Sequence, residues 1–403
     1  MTVVANTSSV IPQTQDERRA LGVAGGAHAL HDGYTDMIYV LLPIWQAEFG
    51  LSYAAVGLLR GLFSGTLAAF QVPSGLLAER FGPARVLAIG TALVGGGYLI
   101  AGASAGLTML MVALIVGGLG ASTQHPLAST LVARAFGTER SIKAIGTYNF
   151  AGDIGKMIVP AAAALLMTWM PWRPTVALLG VCGFAAALAI IVLMPRQAGD
   201  EKAAAKSDKA AARGSARRGF PLLVSIGVID SGTRMPLLTF LPFLLTAKGA
   251  SVQGIGLALM LVFAGGACGK LVCAFIGARL GVVTTVVLTE AGTALGILAL
   301  LVLPLEACYA LLPLIGIVLN GTSSVLYGSM PALVAPEKRA RAFSIFYTGT
   351  IGTGALAPVA YGFLGDLLGV RPALVVLACV VLITVPLAFV LRPALLERGV
   401  VNT

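Results

Sequence analysis

Long apolar stretches recur along almost the whole chain, and no other feature limits the possible folds as strongly. A helix needs about 20 apolar residues to cross the hydrocarbon layer of a membrane. Only 11% of the residues are charged, against about 25% in a soluble domain. We therefore predict an all-α polytopic membrane protein with twelve transmembrane helices. The predicted spans are 21–46, 53–78, 84–104, 107–133, 141–170, 173–195, 220–246, 252–278, 282–303, 307–334, 340–367 and 371–391.

Basic residues are distributed unevenly between the two sides of these spans. With the N-terminus in the cytoplasm, 20 of the 27 Lys and Arg residues fall in cytoplasmic segments and three on the opposite side. This asymmetry follows the positive-inside rule and predicts an integral protein of the cytoplasmic (inner) membrane with both termini in the cytoplasm. It also accounts for the net charge of +10, so no nucleic-acid partner is expected. The five cysteines lie in apolar runs, which predicts neither disulfides nor a thiolate metal site.

The chain resembles itself when it is shifted by 198 or 199 residues. Asp32 then meets Asp230, and Pro160 meets Pro358. Convergent membrane composition does not readily place charged and proline residues at a near-constant shift, so we predict two six-helix bundles of like orientation. Such bundles place a binding site between them, near mid-membrane. The predicted segments are an N-terminal cytoplasmic tail (1–20), a first bundle (21–195), a cytoplasmic linker (196–219), a second bundle (220–391) and a C-terminal cytoplasmic tail (392–403).

The loop after the second span carries the most specific motif. It reads Gly75-Leu-Leu-Ala-Glu79-Arg80-Phe-Gly82-Pro-Ala-Arg85, and it resembles the loop signature of the major facilitator superfamily of transporters, with Glu79 in place of the customary aspartate. The resemblance covers essentially the whole chain and implies the major facilitator fold, a monomer and a loop that latches one conformation. The second copy lacks the glycine and the acid, and helix-end charges that only anchor topology remain an alternative. The candidate latch residues are Gly75, Glu79, Arg80, Gly82, Arg85 and Arg279.

A narrower resemblance concerns the fourth and fifth spans. The His125-Pro126 dipeptide is similar to the His-Pro element of fosmidomycin-resistance-type exporters, although Leu127 stands where they usually carry an acid. The glycines before Pro160 resemble the bend of drug–proton antiporters, but Val159 replaces the glycine of their Gly-Pro pair. These two similarities imply an exporter.

Ionisable side chains inside a membrane are costly and mark functional sites. His28, Asp32 and Asp36 recur every four residues in the first span and so share one helical face. Two carboxylates one turn apart repel each other, which favours binding of a proton by one of them. We predict that Asp32 and Asp36 couple transport to protons; the alternative for Asp36 is a permanent ion pair with Arg60. A metal site from His28, His31 and Asp32 is not expected, because residues 28 and 31 share a face only roughly.

The other intramembrane charges indicate pairs and substrate contacts. Asp230 and Arg234 are four residues apart and form an intrahelical pair, unless Arg234 turns to the cavity and binds an anionic group. Asp153 and Lys156 are expected to neutralise each other at i,i+3. Lys270 has no charged neighbour on its helix, which makes it a candidate for a substrate or cross-helix contact.

Polar residues concentrate in the helices that the resemblance places around the cavity, and as a set they predict a polar substrate site. The candidate substrate-binding residues are His28, Arg60, Gln124, His125, Asn149, Asp230, Arg234, Lys270, Asn320, Tyr327 and Tyr347. No role is assigned to Glu290 in the ninth span, which the resemblance places at the periphery.

These features predict a secondary active, proton-coupled transporter that moves a small organic solute, an anion in one interpretation, or a drug by alternating access. Export is the favoured direction; the alternatives are a proton symporter that imports a small organic anion and a non-transporting sensor on the same scaffold. The expected partners are the solute and membrane lipids, and the proton gradient takes the place of a cofactor. The sequence has no phosphate-binding loop, nucleophile elbow or metal-binding helix motif, so neither direct use of ATP nor an enzyme is expected.

Overall fold

The computed structural model describes residues 14–195, 219–334 and 339–396, and the regular secondary structure in these segments is helical. The linker predicted at 196–219, apart from its last residue, and most of both predicted tails lie outside the described residues. The helices are α1 (Gln15–Phe49), α2 (Tyr53–Phe81), α3 (Pro83–Gly102), α4 (Leu107–Ala121), α5 (Gln124–Leu166), α6 (Trp172–Leu193), α7 (Gly219–Ala247), α8 (Val252–Leu280), α9 (Val282–Val302), α10 (Leu305–Leu333), α11 (Arg339–Leu368), α12 (Val370–Val381) and α13 (Thr384–Leu396).

The thirteen described helices correspond to the twelve predicted spans. α4 and the first arm of α5 (124–136) form the fourth crossing, because Gly137 breaks α5 with φ 65° and ψ 176°; the second arm (138–166) forms the fifth. α12 and α13 together form the twelfth. Nine of the described helical stretches are long and apolar enough to cross a membrane. The three others are α1, the second arm of α5 and α7, which carry buried ionisable residues. The predicted all-helical membrane fold is confirmed.

The two halves, α1–α6 and α7–α13, repeat the same local structure at equivalent positions. Ser52 and Ser251 cap α2 and α8, each by accepting a hydrogen bond from a backbone amide three residues on. Gly82 joins α2 to α3 and Gly281 joins α8 to α9, with φ of 88° and 81°. A side chain rarely adopts these angles, so both junctions favour glycine. The internal similarity therefore extends from the sequence to the backbone.

Small residues let α1 pack closely on the second arm of α5. A Cβ atom at Gly155 would lie 1.8 Å from the carbonyl oxygen of Ala29, and a Cβ atom at Gly33 would lie 2.3 Å from the Val159 side chain. Small residues of this kind allow helix backbones to approach each other in membrane proteins. The close approach sets the polar face of α1 directly against α5.

The two halves touch each other at one side of the molecule. We call the side where α1 begins the N-terminal face and the other side the opposite face. At the opposite face, Gly57 of α2 packs against the Pro358 backbone of α11. The Asp366 carboxylate of α11 accepts hydrogen bonds from the Tyr53 and Ala54 amides at the start of α2, at 2.6 and 3.0 Å. α5 and α8 also pack across the halves. These contacts close the interface between the halves at the opposite face.

Candidate functional site

All three histidines of the chain converge on one carboxylate. His28 and His31 of α1 and His125 of α5 place their Nε2 atoms 3.4, 3.8 and 3.9 Å from Oδ1 of Asp32. The His125 ring lies edge-on to the other two imidazoles, with centroids 5.3 and 5.0 Å away. Asp32, His28 and His31 are buried, whereas 48% of the His125 side chain is exposed. The polar face predicted on α1 thus forms a cluster that His125 completes from another helix.

The second oxygen of Asp32 faces a cation. Nζ of Lys156 lies 3.3 Å from Oδ2 of Asp32. The expected i,i+3 pair between Asp153 and Lys156 is therefore wrong. The close packing of α1 on α5 brings Asp32 within reach of Lys156, and a buried carboxylate is strongly stabilised by such a partner. Asp153 finds its own partner on a different helix.

An ion pair joins the two halves beside this cluster. Lys270 of α8 donates hydrogen bonds to both carboxylate oxygens of Asp153, at 2.6 and 2.7 Å. Asp153 is buried, while 43% of the Lys270 side chain is exposed. Lys270 thus makes the cross-helix contact that the sequence indicates. Its predicted contact with the substrate stays a prediction, and an anion that entered from the exposed side would compete with Asp153.

Asp36 lies one helical turn beyond Asp32 and is buried, with no hydrogen bond or ion pair to another described residue. The Arg60 guanidinium packs 4.8 Å from the centre of the Tyr39 ring, donates a 3.1 Å hydrogen bond to the Tyr39 hydroxyl and contacts Ser64. The alternative of a direct Asp36–Arg60 pair is therefore not realised. The Tyr39 hydroxyl reaches Sδ of Met235 in the other half at 3.5 Å. Arg60 is thus held through Tyr39, and Asp36 has no ion-pair partner among the described residues.

A second group of charges lies in the other half. Nη2 of Arg234 is 4.0 Å from Oδ2 of Asp230, which confirms the expected intrahelical pair on α7. Glu290 of α9 is buried beside Asp230, and its Oε1 atom has no hydrogen-bond partner among the described residues. The resemblance places the ninth span at the periphery of the bundle. The Glu290 side chain nevertheless points into the bundle. Asp230 and Glu290 therefore lie beside each other, and the Arg234 guanidinium pairs with Asp230.

The remaining candidate substrate residues lie around these groups. Gln124 is buried and lines a small cavity beside the histidines. Asn149 is exposed on α5, and Asn320 donates a 3.2 Å hydrogen bond to a carbonyl of its own helix, α10. Tyr327 and Tyr347 stack on each other, with ring centroids 5.2 Å apart. Within the described residues, no direct contact joins Asn149, Asn320 or the two tyrosines to the histidines, so their role in binding stays a prediction.

The candidate latch residues lie at the N-terminal face, where α2 and α8 end. Gly75 is one turn and a half before the end of α2, and Gly82 forms the turn into α3. Arg80 and Arg279 each stack on a phenylalanine of their own helix. In the part of the chain that the structure describes, none of the charged latch side chains forms an ion pair; these exposed side chains are Glu79, Arg80, Arg85 and Arg279. With the halves closed at the opposite face, a latch at the N-terminal face is disengaged, and its function stays a prediction.

Sequence reasoning misses three residues that the structure places in these contacts. Lys156 is assigned to the wrong carboxylate, because the local i,i+3 rule takes no account of packing between α1 and α5. Tyr39 lies seven residues after Asp32 and so shares its helical face, a signal that is readable in advance. Asp366 has no local signal, because its partner Tyr53 is 313 residues away in the chain.

Two equivalent helix bundles that meet around buried charges define a polytopic membrane protein. The chain belongs to the Major Facilitator Superfamily, whose family model matches residues 25–226 and 222–400. The family that the loop motif indicates is thereby confirmed. Members of this family are transporters, and the matched relatives include proteins named as transporters of small organic solutes.

Comparison with individual proteins adds similarities of different extent. The chain is 24% identical to a probable 4-methylmuconolactone transporter of Cupriavidus pinatubonensis, over 84% of this chain and 81% of that protein. It is 29% identical to a probable sulfoacetate transporter of Cupriavidus necator and 23% identical to the fosmidomycin resistance protein of Escherichia coli, and it covers only 33% and 38% of their lengths. Among solved structures, a bacterial homologue of the human lysosomal transporter Spinster, in an inward-facing conformation, superposes with a TM-score of 0.78 at 17% identity, over 96% of this chain and 99% of that one.

Proposed function

We propose that this protein is a proton-coupled secondary transporter that exports a small organic anion by alternating access. The observation that carries the proposal is the 2.6 Å ion pair between Lys270 and Asp153, which joins the two halves next to buried carboxylates. A pair in this position connects binding of a solute to the relative movement of the halves.

The anionic character of the solute follows from the availability of the cations. Lys156 and Arg234 are engaged by carboxylates of their own halves, and Arg60 is held by Tyr39. The Lys270 side chain is more exposed than that of Lys156. A carboxylate or sulfonate group of the solute can therefore replace Asp153 as the acceptor of its hydrogen bonds. Charge-assisted hydrogen bonds of this kind are strong and directional. The similarity to a relative named for sulfoacetate, itself an organic anion, supports this class of solute.

Asp36 is a better candidate than Asp32 for the residue that couples transport to protons. Asp32 is neutralised by Lys156, so protonation would leave that lysine charge unpaired. Asp36 is buried with no ion-pair partner among the described residues, and an unpaired buried charge is costly, so this carboxylate is suited to bind a proton. Asp36 therefore binds and releases the proton, while Asp32 holds Lys156 and the histidines in place.

Export is the proposed direction because the His125-Pro126 element resembles that of resistance-type exporters, and the similarity to the fosmidomycin resistance protein supports it. Import of a small organic anion by symport is the second candidate. It is favoured by the similarity, over most of the chain, to a protein named for 4-methylmuconolactone.

The test measures flux in proteoliposomes under a pH gradient imposed in either direction, with radiolabelled sulfoacetate and fosmidomycin as probes. We expect solute to move against the proton flow. Lys270→Gln should lower the flux about tenfold, the loss expected for one charge-assisted hydrogen bond. Asp36→Asn should abolish the response to the gradient and leave solute exchange without a gradient intact. Lys143→Gln, an exposed lysine on the same arm of α5 as Asp153, is the matched control and should transport normally.

The outcomes separate the candidates. Movement of solute together with protons would establish symport in place of export. Binding of a probe without flux would indicate a sensor. The proposal would be refuted if flux did not depend on the pH gradient and was unchanged in both Lys270→Gln and Asp36→Asn.

A further inference from the structure

The hydrogen bond that His28 makes through Nδ1 determines what can lie between its Nε2 atom and Asp32. Nδ1 of His28 lies 2.9 Å from the carbonyl oxygen of Tyr148. A carbonyl only accepts hydrogen bonds, so Nδ1 carries the proton and Nε2 of the neutral ring is a bare lone pair. That Nε2 is buried, has no hydrogen-bond partner among the described residues and faces Oδ1 of Asp32 at 3.4 Å. Two acceptors at this separation repel each other unless a cation lies between them.

The cation between His28 and Asp32 could be a proton or a metal ion, and a metal ion would contact more of the surrounding ligand atoms. A proton on Nε2 of His28 would join that atom to Asp32 alone. Nε2 of His125 also points at Oδ1 of Asp32, from 3.9 Å, and one ligand atom of each of the three residues lies within 4.8 Å of the others. An ion at about 2.0–2.2 Å from each atom would satisfy all three at once, and this arrangement requires the His125 ring to move closer to His28. His125 is half exposed and can rotate into ideal ligand distances.

We propose that His28, Asp32 and His125 form a binding site for a divalent first-row transition-metal ion such as Zn²⁺ or Co²⁺. Two imidazole nitrogens and one carboxylate oxygen are a ligand set that such ions prefer, whereas Mg²⁺ and Ca²⁺ prefer oxygen ligands alone. The spacing of residues within α1 does not predict this site, because it suggests only His31 as the third ligand. In the structure the third ligand is His125, which α5 supplies.

The surroundings have the features that support metal ligands elsewhere. Metal-binding histidines usually donate their second ring nitrogen to a carbonyl or carboxylate, as His28 does to Tyr148, and this contact fixes the tautomer. The Tyr148 ring also stacks on His28, with centroids 4.1 Å apart. Lys156 holds the other oxygen of Asp32, which leaves Oδ1 for the ion. Gly152 provides the space, since a Cβ atom there would lie 2.7 Å from both Asp32 and His28.

Access to the site comes from the side of His125, because His28 and Asp32 are buried while the His125 side chain is 48% exposed. With three protein ligands, a tetrahedral ion keeps one position for water or a solute oxygen. Both helices that supply ligands, α1 and α5, belong to the same half. The ion therefore stiffens that half and does not hold the two halves together.

The test uses the full-length protein in detergent, with the purification tag removed because a polyhistidine tag would bind the probe. After treatment with a chelator, Co²⁺ is titrated and its visible absorption is recorded, followed by displacement with Zn²⁺. We expect one Co²⁺ per chain, with a spectrum that lacks thiolate charge transfer. His125→Ala and His28→Ala should each weaken binding more than about tenfold, at least the loss seen for supporting residues of metal sites.

Two further variants make the result specific. Lys156→Gln should strengthen binding, because it removes a positive charge 3.3 Å from Asp32, and a general folding defect would not do so. Glu48→Gln removes a carboxylate from the far end of the same helix and should leave binding unchanged. Failure of the wild type to bind Co²⁺, or binding that survives the double variant His28→Ala/His125→Ala, would overturn the proposal. The measurement involves no flux, so its failure is distinguishable from a failure of the transport proposal.

Discussion

At the scale of single residues, the buried charges of this molecule obtain their partners mainly from other helices. Asp32 pairs with Lys156 of α5, and Asp153 pairs with Lys270 of the other half. Removing one member of such a pair leaves the other charge buried and costs several kcal/mol. The sequence correctly marks these residues as ones that need a partner. Local spacing does identify the partner of Arg234, because Arg234 and Asp230 lie in one helix, as His28 and Asp32 do in α1.

One carboxylate beyond the predicted first span permits a prediction about pH. Glu48 accepts hydrogen bonds from Nε1 of Trp172 at 2.6 Å and from Arg173 at 2.5 Å. Partial burial raises the pKa of this carboxyl, but these hydrogen bonds and the Arg173 charge outweigh it and hold the pKa below its usual value. The stabilisation is therefore complete above the unfolded pKa of about 4.3 and is lost as the pH falls through the lower folded pKa.

We expect Glu48→Gln to lower the melting temperature at neutral pH by an amount equivalent to less than about 1 kcal/mol, since the ion pair is partly exposed. The difference between variant and wild type should shrink below about pH 4, as Glu48 becomes protonated in the wild type. Thermal unfolding in detergent across this pH range measures it. A difference that stays constant with pH would contradict the assignment.

At the scale of helices, the contact between α1 and α5 depends on glycines, and it positions the whole histidine cluster. The sequence locates both helices but not their limits: the span predicted at 107–133 is divided between α4 and the first arm of α5, and α5 continues through a break at Gly137 into the span predicted at 141–170. Hydropathy marks where a membrane can be crossed, and it carries no information on where a helix continues beyond the apolar layer. The sequence shows which helices contain rows of glycines, but it does not show which helix packs against each row.

Replacing Gly155 by alanine tests this contact. The new Cβ atom would meet the Ala29 backbone, which cannot move as a side chain can, so α1 and α5 must separate. We expect Gly155→Ala to destabilise the protein by about 1–3 kcal/mol, as overpacking does, and to weaken Co²⁺ binding at the cluster. Gly146→Ala is the matched control on the same arm of α5, with no atom within 4 Å of the new Cβ. Equal melting temperatures for the two variants would contradict the proposed packing.

At the scale of the whole molecule, the two halves are closed at the opposite face, and the candidate latch side chains at the N-terminal face form no ion pair with another described residue. Asp366 caps the start of α2 from the other half, and Gly57 allows α2 to approach α11. The duplication predicts that two bundles exist, and their relative arrangement depends on these contacts between distant residues.

Loss of the Asp366 charge should shift the equilibrium between conformations. A carboxylate at a helix N-terminus stabilises it by about 1 kcal/mol, so Asp366→Asn should favour the state that is open at the opposite face by about fivefold. Spin labels at positions 105 and 253, two exposed residues at this face in different halves, report the separation in a background without exposed native cysteines. Asp16→Asn, an exposed acid in the first turn of α1, is the control. An unchanged distance distribution would show that Asp366 does not hold the halves together.

The sequence by itself determines that this chain crosses a membrane many times, that its halves are duplicates, and that one face of α1 is charged. These properties depend on neighbouring residues and on a repeat spacing, so they can be read before the chain folds. Only the tertiary structure decides that His125 joins His28 at Asp32, that Lys156 pairs with Asp32 and not with Asp153, and that Lys270 bridges the halves. Each of these contacts joins residues that are distant in the chain, and which distant residues meet depends on how closely the glycine-lined helices approach each other.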